Sequence, residues 1–373
     1  MSFEYTLYDV TVTTLTPLYI GSGRILLNEY DYTTHGHKTW RINEDALLDA
    51  IYVEDDPKSA ETLARTPPGQ LLAPKDFTSD NPYFRYVLSE QPRAAGPGAQ
   101  LQELLKTVED EAYLPGSSLK GAIRTALAWH GWQEKHKKPD LRDLERNRKY
   151  AGRRIEQEIM GPDPNHDLLR ALHVSDSAPA GKDRFLVLNV QVITAGGMQS
   201  PIELEAIQAD TPFRLTMKVD NRLWGQWAKQ NRLTLGGNVA WLTELPTFIQ
   251  AHTQQRLQDE LAWAKERSIA KTMAGFYEQL VGLKLPKHRC LFQIGWGAGW
   301  ADKTYGSHLQ ANPRFMDAIV KDYRLSIGNN HRPGDPFPKS RRTTVRVVKD
   351  KRGQVHQQPA VPLGWVLMEM KER

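Results

Sequence analysis

The chain has 373 residues, 40% of them hydrophobic and 25% charged, with a net charge of +5, which suits two domains with real cores in a soluble protein. Cys290 is the only cysteine, so an intramolecular disulfide and Cys-based zinc or redox motifs are excluded. With no positively charged leader and no run near ~20 apolar residues, a cytoplasmic protein without a membrane segment is expected.

Tyr8, Val10 and Val12 alternate with Asp9, Thr11 and Thr13, which predicts a half-buried strand. It runs into Thr16-Pro17-Leu18-Tyr19-Ile20-Gly21-Ser22-Gly23, a first glycine turn. Leu27 to Thr34 and Lys38 to Ile42 flank His35-Gly36-His37 as a hairpin, and Asn43-Glu44-Asp45 begins a helix. Pro57 to Gln100 is rich in Pro, Gly and polar residues and is expected to be an insertion with some helix.

Leu114-Pro115-Gly116-Ser117-Ser118-Leu119-Lys120-Gly121-Ala122-Ile123-Arg124 opens the clearest helix, with Ser117 or Ser118 as its expected N-cap. Leu119, Ile123, Ala126 and Leu127 share one face, and Lys120 and Arg124 lie together on a neighbouring one. Gln133 to Met160 should continue as a charged, helical, exposed insertion. Pro179-Ala180-Gly181 marks a boundary between an N-terminal domain (1–180, with insertions near 44–105 and 132–170) and a C-terminal one (181–373). In the second half, strands are expected over Phe185–Thr194, Phe213–Val219, Thr343–Lys349 and Val361–Met370. A long helical region covers about Trp241 to Leu280. Strands and helices mix without regular βαβ alternation, so the fold class is α+β.

Charge is unevenly spread. Val281 to Arg373 holds 17 Lys and Arg against 7 Asp and Glu, and Ser117 to Arg154 holds 11 against 4. Such concentrations are the footprint of a phosphate-backbone binder, with solvated helix surface as the alternative. Ile294-Gly295-Trp296-Gly297-Ala298-Gly299-Trp300, followed by Lys303, sets indole rings and a lysine beside a glycine turn. That suits stacking on an unpaired base with a cation for its phosphate; tryptophans anchoring a turn are the competing account. Phe337-Pro338-Lys339-Ser340-Arg341-Arg342 places three cations before a strand, a phosphate-positioning pattern. Backbone amides at Gly21, Ser22 and Gly23, and at Gly116, Ser117 and Ser118, add two anion sites.

Catalytic patterns are weak. There is no Gly-x-Ser-x-Gly elbow and no His-Glu-x-x-His helix. Gly116 and Gly121 have phosphate-loop spacing, but Ala122-Ile123 replaces the Lys-Ser/Thr pair, which rejects an NTPase. His35 and His37 are expected to be a turn, not a metal site, and His166-Asp167 a loop. Glu29 and Asp31 alternate with Tyr30 and Tyr32, which favours a solvent-facing strand edge over an RNA-cleaving site. No metal and no cofactor are expected.

The ordered glycine motifs resemble the RAMP superfamily of CRISPR-associated proteins, and within it the fifth subunit of the type III-A Csm effector complex. Leu172-His173-Val174-Ser175-Asp176-Ser177, Ile202-Glu203-Leu204-Glu205 and Pro362-Leu363-Gly364-Trp365 agree with that family, so the likeness runs from about residue 10 to 366. The resemblance implies two RRM-like, ferredoxin-fold (βαββαβ) units with helical insertions. It also implies a non-catalytic subunit that holds CRISPR RNA toward its 3′ end, contacts backbone RAMP subunits and meets target RNA in the assembled complex. Guide maturation would proceed through recruited host nucleases. The rival expectation is a RAMP endoribonuclease using Asp31, His35 or His37.

Overall fold

The first predicted strand is β1 (Tyr5–Thr14), in which Val10 and Val12 are buried while Asp9 faces out. In this computed structural model, which describes residues 4–326, 331–349 and 353–373, β1 lies in the middle of a five-stranded sheet. The remaining strands are β2 (Gly21–Leu27), β3 (Tyr32–His35), β4 (Lys38–Ile42), β5 (Phe84–Ser89), β6 (Gln100–Leu104) and β7 (Leu172–Val174). The second half adds β8 (Phe185–Thr194), β9 (Gly197–Ile207), β10 (Pro212–Asp220), β11 (Arg289–Gln293), β12 (Arg341–Lys349), β13 (Val355–Pro359) and β14 (Trp365–Glu372).

The first sheet is antiparallel throughout, in the order β11–β14–β1–β10–β7, with Val12 opposite both Phe213 and Met368. One helix (Gly116–Glu134) lies between β1 and β7 and another (Leu245–Lys265) between β10 and β11. The result is a βαββαβ unit in which β14 takes the closing place beside β1. The second sheet runs β2–β6–β9–β8–β5–β4–β3, and β12 adds to β8 and carries β13. Both sheets take strands from either side of position 180. The α+β class read from the sequence is present.

One contiguous core joins the two sheets. Val12, Phe213 and Met217 from the first meet Leu26, Leu101, Val187 and Leu204 from the second. The Gly116–Glu134 helix contributes Leu119, Ile123, Ala126 and Leu127, the stripe read from the sequence, all at most 2% exposed. Truncating Ile123 to alanine is expected to cost about 2–5 kcal/mol, measured by chemical denaturation. A satellite core packs Leu257, Trp263 and Tyr277 against Trp365.

Several boundaries differ from expectation. The helical region near 241–280 divides into Leu245–Lys265 and Lys271–Val281, separated by a turn. Residues 135–152 hold only short turns before the helix Arg153–Met160, because Pro139 breaks the charged stretch and Asp140 and Asn147 cap short turns within it. The 57–100 region is not wholly peripheral: β5 buries Phe84, Tyr86 and Leu88 in the second sheet. Among the described residues, no helix is long and apolar enough to cross a membrane.

Candidate nucleic-acid interface

Gly21 to Gly23 form the exposed start of β2, where pairing with β6 slips in register between Gly21 and Ile25. Gly23 has φ of +90°, and no atom lies within 4 Å of where its Cβ would sit. Its backbone conformation therefore excludes most side chains, while the space beside it is open. The Ser22 hydroxyl donates to Glu103 Oε2 at 2.9 Å and accepts from the Arg24 amide at 3.1 Å, which orders this edge.

The late glycine loop leaves β11 and folds back onto that edge. The Trp296 amide donates to the Tyr19 carbonyl at 3.0 Å, and the two rings meet edge to face at 6.1 Å. Arg342 lies over the Trp296 ring at 3.9 Å and donates to the Trp296 carbonyl at 3.1 Å. One indole face is thus already covered by a cation. Burial holds the Arg342 guanidinium below its ordinary pKa. Lys303 is also lowered, first by burial and then by the nearby Arg342 charge. Gly297 backs onto Leu363, with its carbonyl accepting from Gln293 Nε2 at 3.2 Å, and Gly299 closes the turn. Trp300 stands edge-on to Phe337 at 5.3 Å, so both tryptophans partly anchor the loop.

Alternation along β12 sends Arg341 and Arg342 to opposite sides. Arg341 does not join the exposed face. Its Nε donates to Glu260 Oε2 at 2.7 Å within a buried group formed with Arg256 and Asp302. Lys339 pairs with Asp335 four residues earlier. Arg256, Glu260 and Asp302 carried no recognisable signal in sequence, because an i, i+4 Arg–Glu pair ordinarily marks a solvated helix face.

The mid-chain motif is organised differently from the expected serine-capped anion site. The helix starts at Gly116 after Pro115, and neither Ser117 nor Ser118 caps it. Instead the Gly116 amide donates to Asp176 Oδ1 at 2.7 Å, so that amide is occupied by the chain's own carboxylate. A Cβ at position 116 would sit 2.4 Å from the Val174 carbonyl oxygen and 2.6 Å from that of Ser175. The glycine permits close approach of two backbone segments within the fold. Gly116→Val is accordingly expected to cost about 1–3 kcal/mol or more by overpacking, with RNA affinity of the surviving folded fraction unchanged. Denaturant midpoints and RNA titrations on the same variant check both halves.

Lys120 and Arg124 are largely committed to the fold. Lys120 Nζ donates to the Leu172 carbonyl at 2.7 Å, and burial lowers its pKa. Arg124 forms a two-pronged pair with Asp167 at 3.1 and 2.6 Å and a further bond to Glu156. Burial opposes its charge, but those bonds outweigh the penalty and raise its pKa.

The residues weighed for catalysis have other partners. Asp31 accepts from Arg24 Nη2 at 2.8 Å and from the Leu27 amide at 2.9 Å, with Arg41 at 3.4 Å, so it is not the solvent-facing edge residue expected. Glu29 accepts from Thr33 Oγ1 at 3.2 Å. His35 stacks on Phe77 at 4.2 Å, and His37 occupies a left-handed turn position. His166 bonds Asp163, while Asp167 serves Arg124, so they form no dyad. Among the described residues, no cluster of three or more His, Cys, Asp or Glu is arranged to hold a metal.

The tertiary structure also gathers residues that were not singled out in sequence. Arg148, Lys149, Tyr150 and Arg153, within the noted basic run, line a cleft with Arg124, Trp300 and Lys303. The late loop therefore meets two distant motifs: the Tyr19–Gly23 segment through Trp296, and the Gly116–Glu134 helix through Ala301–Lys303.

Comparison with known proteins supports the same fold. The chain is similar to one in a cryo-EM structure of a Csm–crRNA–target RNA ternary complex of a type III-A CRISPR-Cas system. The TM-score is 0.72 at 22% identity, covering 97% of this chain and 100% of the other. It is also similar to the crystal structure of T. onnurineus Csm5, with a TM-score of 0.59 at 20% identity over 95% of this chain and 99% of that one. None of the curated protein sequences matches. A family model described as the RAMP superfamily matches residues 11–302, and with the glycine motifs in their order and the βαββαβ sheet in place, the chain belongs to the RAMP superfamily.

Proposed function

We propose that this RAMP protein is a non-catalytic CRISPR-RNA-binding subunit of a type III-A (Csm) interference complex. In that reading it caps the backbone near the guide 3′ end, contacts backbone RAMP subunits and target RNA, and supports guide maturation by recruiting host nucleases. The observation that carries the reading is that the late glycine loop meets both of the other, sequence-distant glycine motifs, at Tyr19 through Trp296 and at the Gly116–Glu134 helix through Ala301–Lys303. Similarity to the chain of the Csm–crRNA–target RNA complex and to Csm5 supports the choice of assembly. Gly21, Ser22 and Gly23 would approach the RNA backbone, and Arg342 and Lys303 would face its phosphates. Recognition of this kind follows backbone and shape, as variable guide sequences demand. Titrating the full chain with single-stranded RNA tests it, with Arg342→Ala expected to weaken binding. Gly23→Val is expected to weaken binding by the folded fraction while also lowering the melting temperature, because φ of +90° strains a side chain there.

The non-catalytic element has its own test. Asp31→Ala is expected to cost about 1–3 kcal/mol, because the Leu27 amide and Arg41 lose a shared acceptor. His35→Ala and His37→Ala, like Asp31→Ala in assembled complex, should leave RNA cleavage within a few-fold of wild type. Loss of a general acid or base would instead cost ~10²–10⁴-fold.

A further inference from the structure

The cleft beside the late loop carries more than a charge footprint. It is about 770 Å³ in volume, within the ~300–1,000 Å³ typical of sites that enclose one small organic ligand. Its floor is apolar, built from the buried Ile155, Leu309 and Phe315. Its rim is cationic: among the described residues, Arg148, Lys149, Arg153 and Lys303 have no carboxylate within ion-pair distance. Glu156 is the one carboxylate lining it, and Arg124 neutralises it. At the mouth stands Tyr150, 44% exposed, with Lys149 Nζ 5.5 Å and the Arg153 guanidinium 5.8 Å from its ring centre.

An apolar floor, an exposed aromatic ring and unpaired cations on the rim match the two halves of a nucleotide. Stacking takes the base, and the cations take the phosphate. An apolar helix or peptide seated on the floor would instead leave four like charges uncompensated along its edge. We infer that this cleft holds one unstacked nucleotide of a single RNA strand, its base against Tyr150 and the floor and its phosphate against Arg148, Lys149 and Arg153. This rests on the RNA-binding reading above and adds a discrete pocket to it.

The experiment uses the full chain and short single-stranded RNAs in which 2-aminopurine is moved one position at a time. Fluorescence should be quenched at one position on binding. Tyr150→Ala should remove that quenching and weaken binding about 5–150-fold, the range for losing one base–aromatic stack. Tyr150→Phe should retain both, and Arg148→Ala should flatten the log–log salt slope by about 0.7. Tyr150 and Arg148 both lie at the surface, so these variants are expected to fold. Unchanged quenching and affinity in Tyr150→Ala, while Arg342→Ala still weakens binding, would overturn the pocket and leave the RNA-binding reading intact. Wild-type protein that binds no RNA at any salt concentration would remove both. Adenosine or uridine monophosphate alone, bound in a Tyr150-dependent way without RNA quenching, would assign the cleft to a free nucleotide and overturn the strand assignment. A photo-crosslinker at position 150 that captures only protein in the assembled complex would overturn it as well.

Discussion

Glu260→Ala is expected to destabilise the protein by about 3–5 kcal/mol, the largest effect of any single polar substitution proposed here. The Glu260 side chain is 3% exposed, with Oε1 at 2.7 Å from Arg256 Nη2 and Oε2 at 2.7 Å from Arg341 Nε. Arg256 Nε reaches Asp302 Oδ1 at 3.2 Å. Burial disfavours the Glu260 charge, but Arg341 and Arg256 outweigh it and hold the carboxyl below its usual range. Asp302 is instead raised, because burial dominates over its single guanidinium partner. Removing Glu260 strands the Arg341 guanidinium and leaves Arg256 with its aspartate partners alone. Replacing Glu260 and Arg341 together by leucine or methionine keeps the Arg256–Asp302 pair and should recover much of the loss. Urea midpoints with unchanged m-values for the two single variants and the double variant give the coupling directly. Because Asp302 follows the late loop and Arg341 opens β12, the same substitution should also loosen the loop that carries Trp296 and Lys303.

The second large effect is electrostatic. RNA affinity should fall steeply with salt, by a log–log slope of about −0.7 for each phosphate contact on a single strand. Four contacts correspond to roughly a fifty-fold loss between 50 and 200 mM salt. The neighbours Arg341 and Arg342 separate this effect from a structural one. Arg342→Ala should weaken binding and flatten the slope by about 0.7. Arg341→Ala should leave the slope alone and lower stability, since its guanidinium serves Glu260 and lies 4.9 Å from the Trp263 ring centre. A salt-insensitive complex, or equal slopes for both variants, would contradict the placement of phosphate at Arg342. Lys120→Ala and Arg124→Ala should resemble Arg341→Ala more than Arg342→Ala, because the Leu172 carbonyl and the Asp167 and Glu156 carboxylates already hold them.

Local pattern was enough to determine much of this protein. Alternation in β1, the Leu119–Leu127 stripe, the hairpin at His35–His37, the α+β class and the ordered glycine motifs of a RAMP protein were all legible. Each depends on a period of 2 or 3.6 residues, or on glycine chemistry, within a short window. What a side chain or an amide meets depends on residues far away in the chain. Ser117 reads as a helix cap until Asp176, sixty residues from Gly116, takes the amide. Arg341 and Arg342 read as equivalent cations until one faces a buried carboxylate eighty-one residues away and the other an indole. Residues 148–153 read as a solvated basic run until the late loop closes a cleft against them. Periodicity specifies which face of an element is apolar, and only long-range packing decides which charges are neutralised inside the fold and which remain to meet a phosphate.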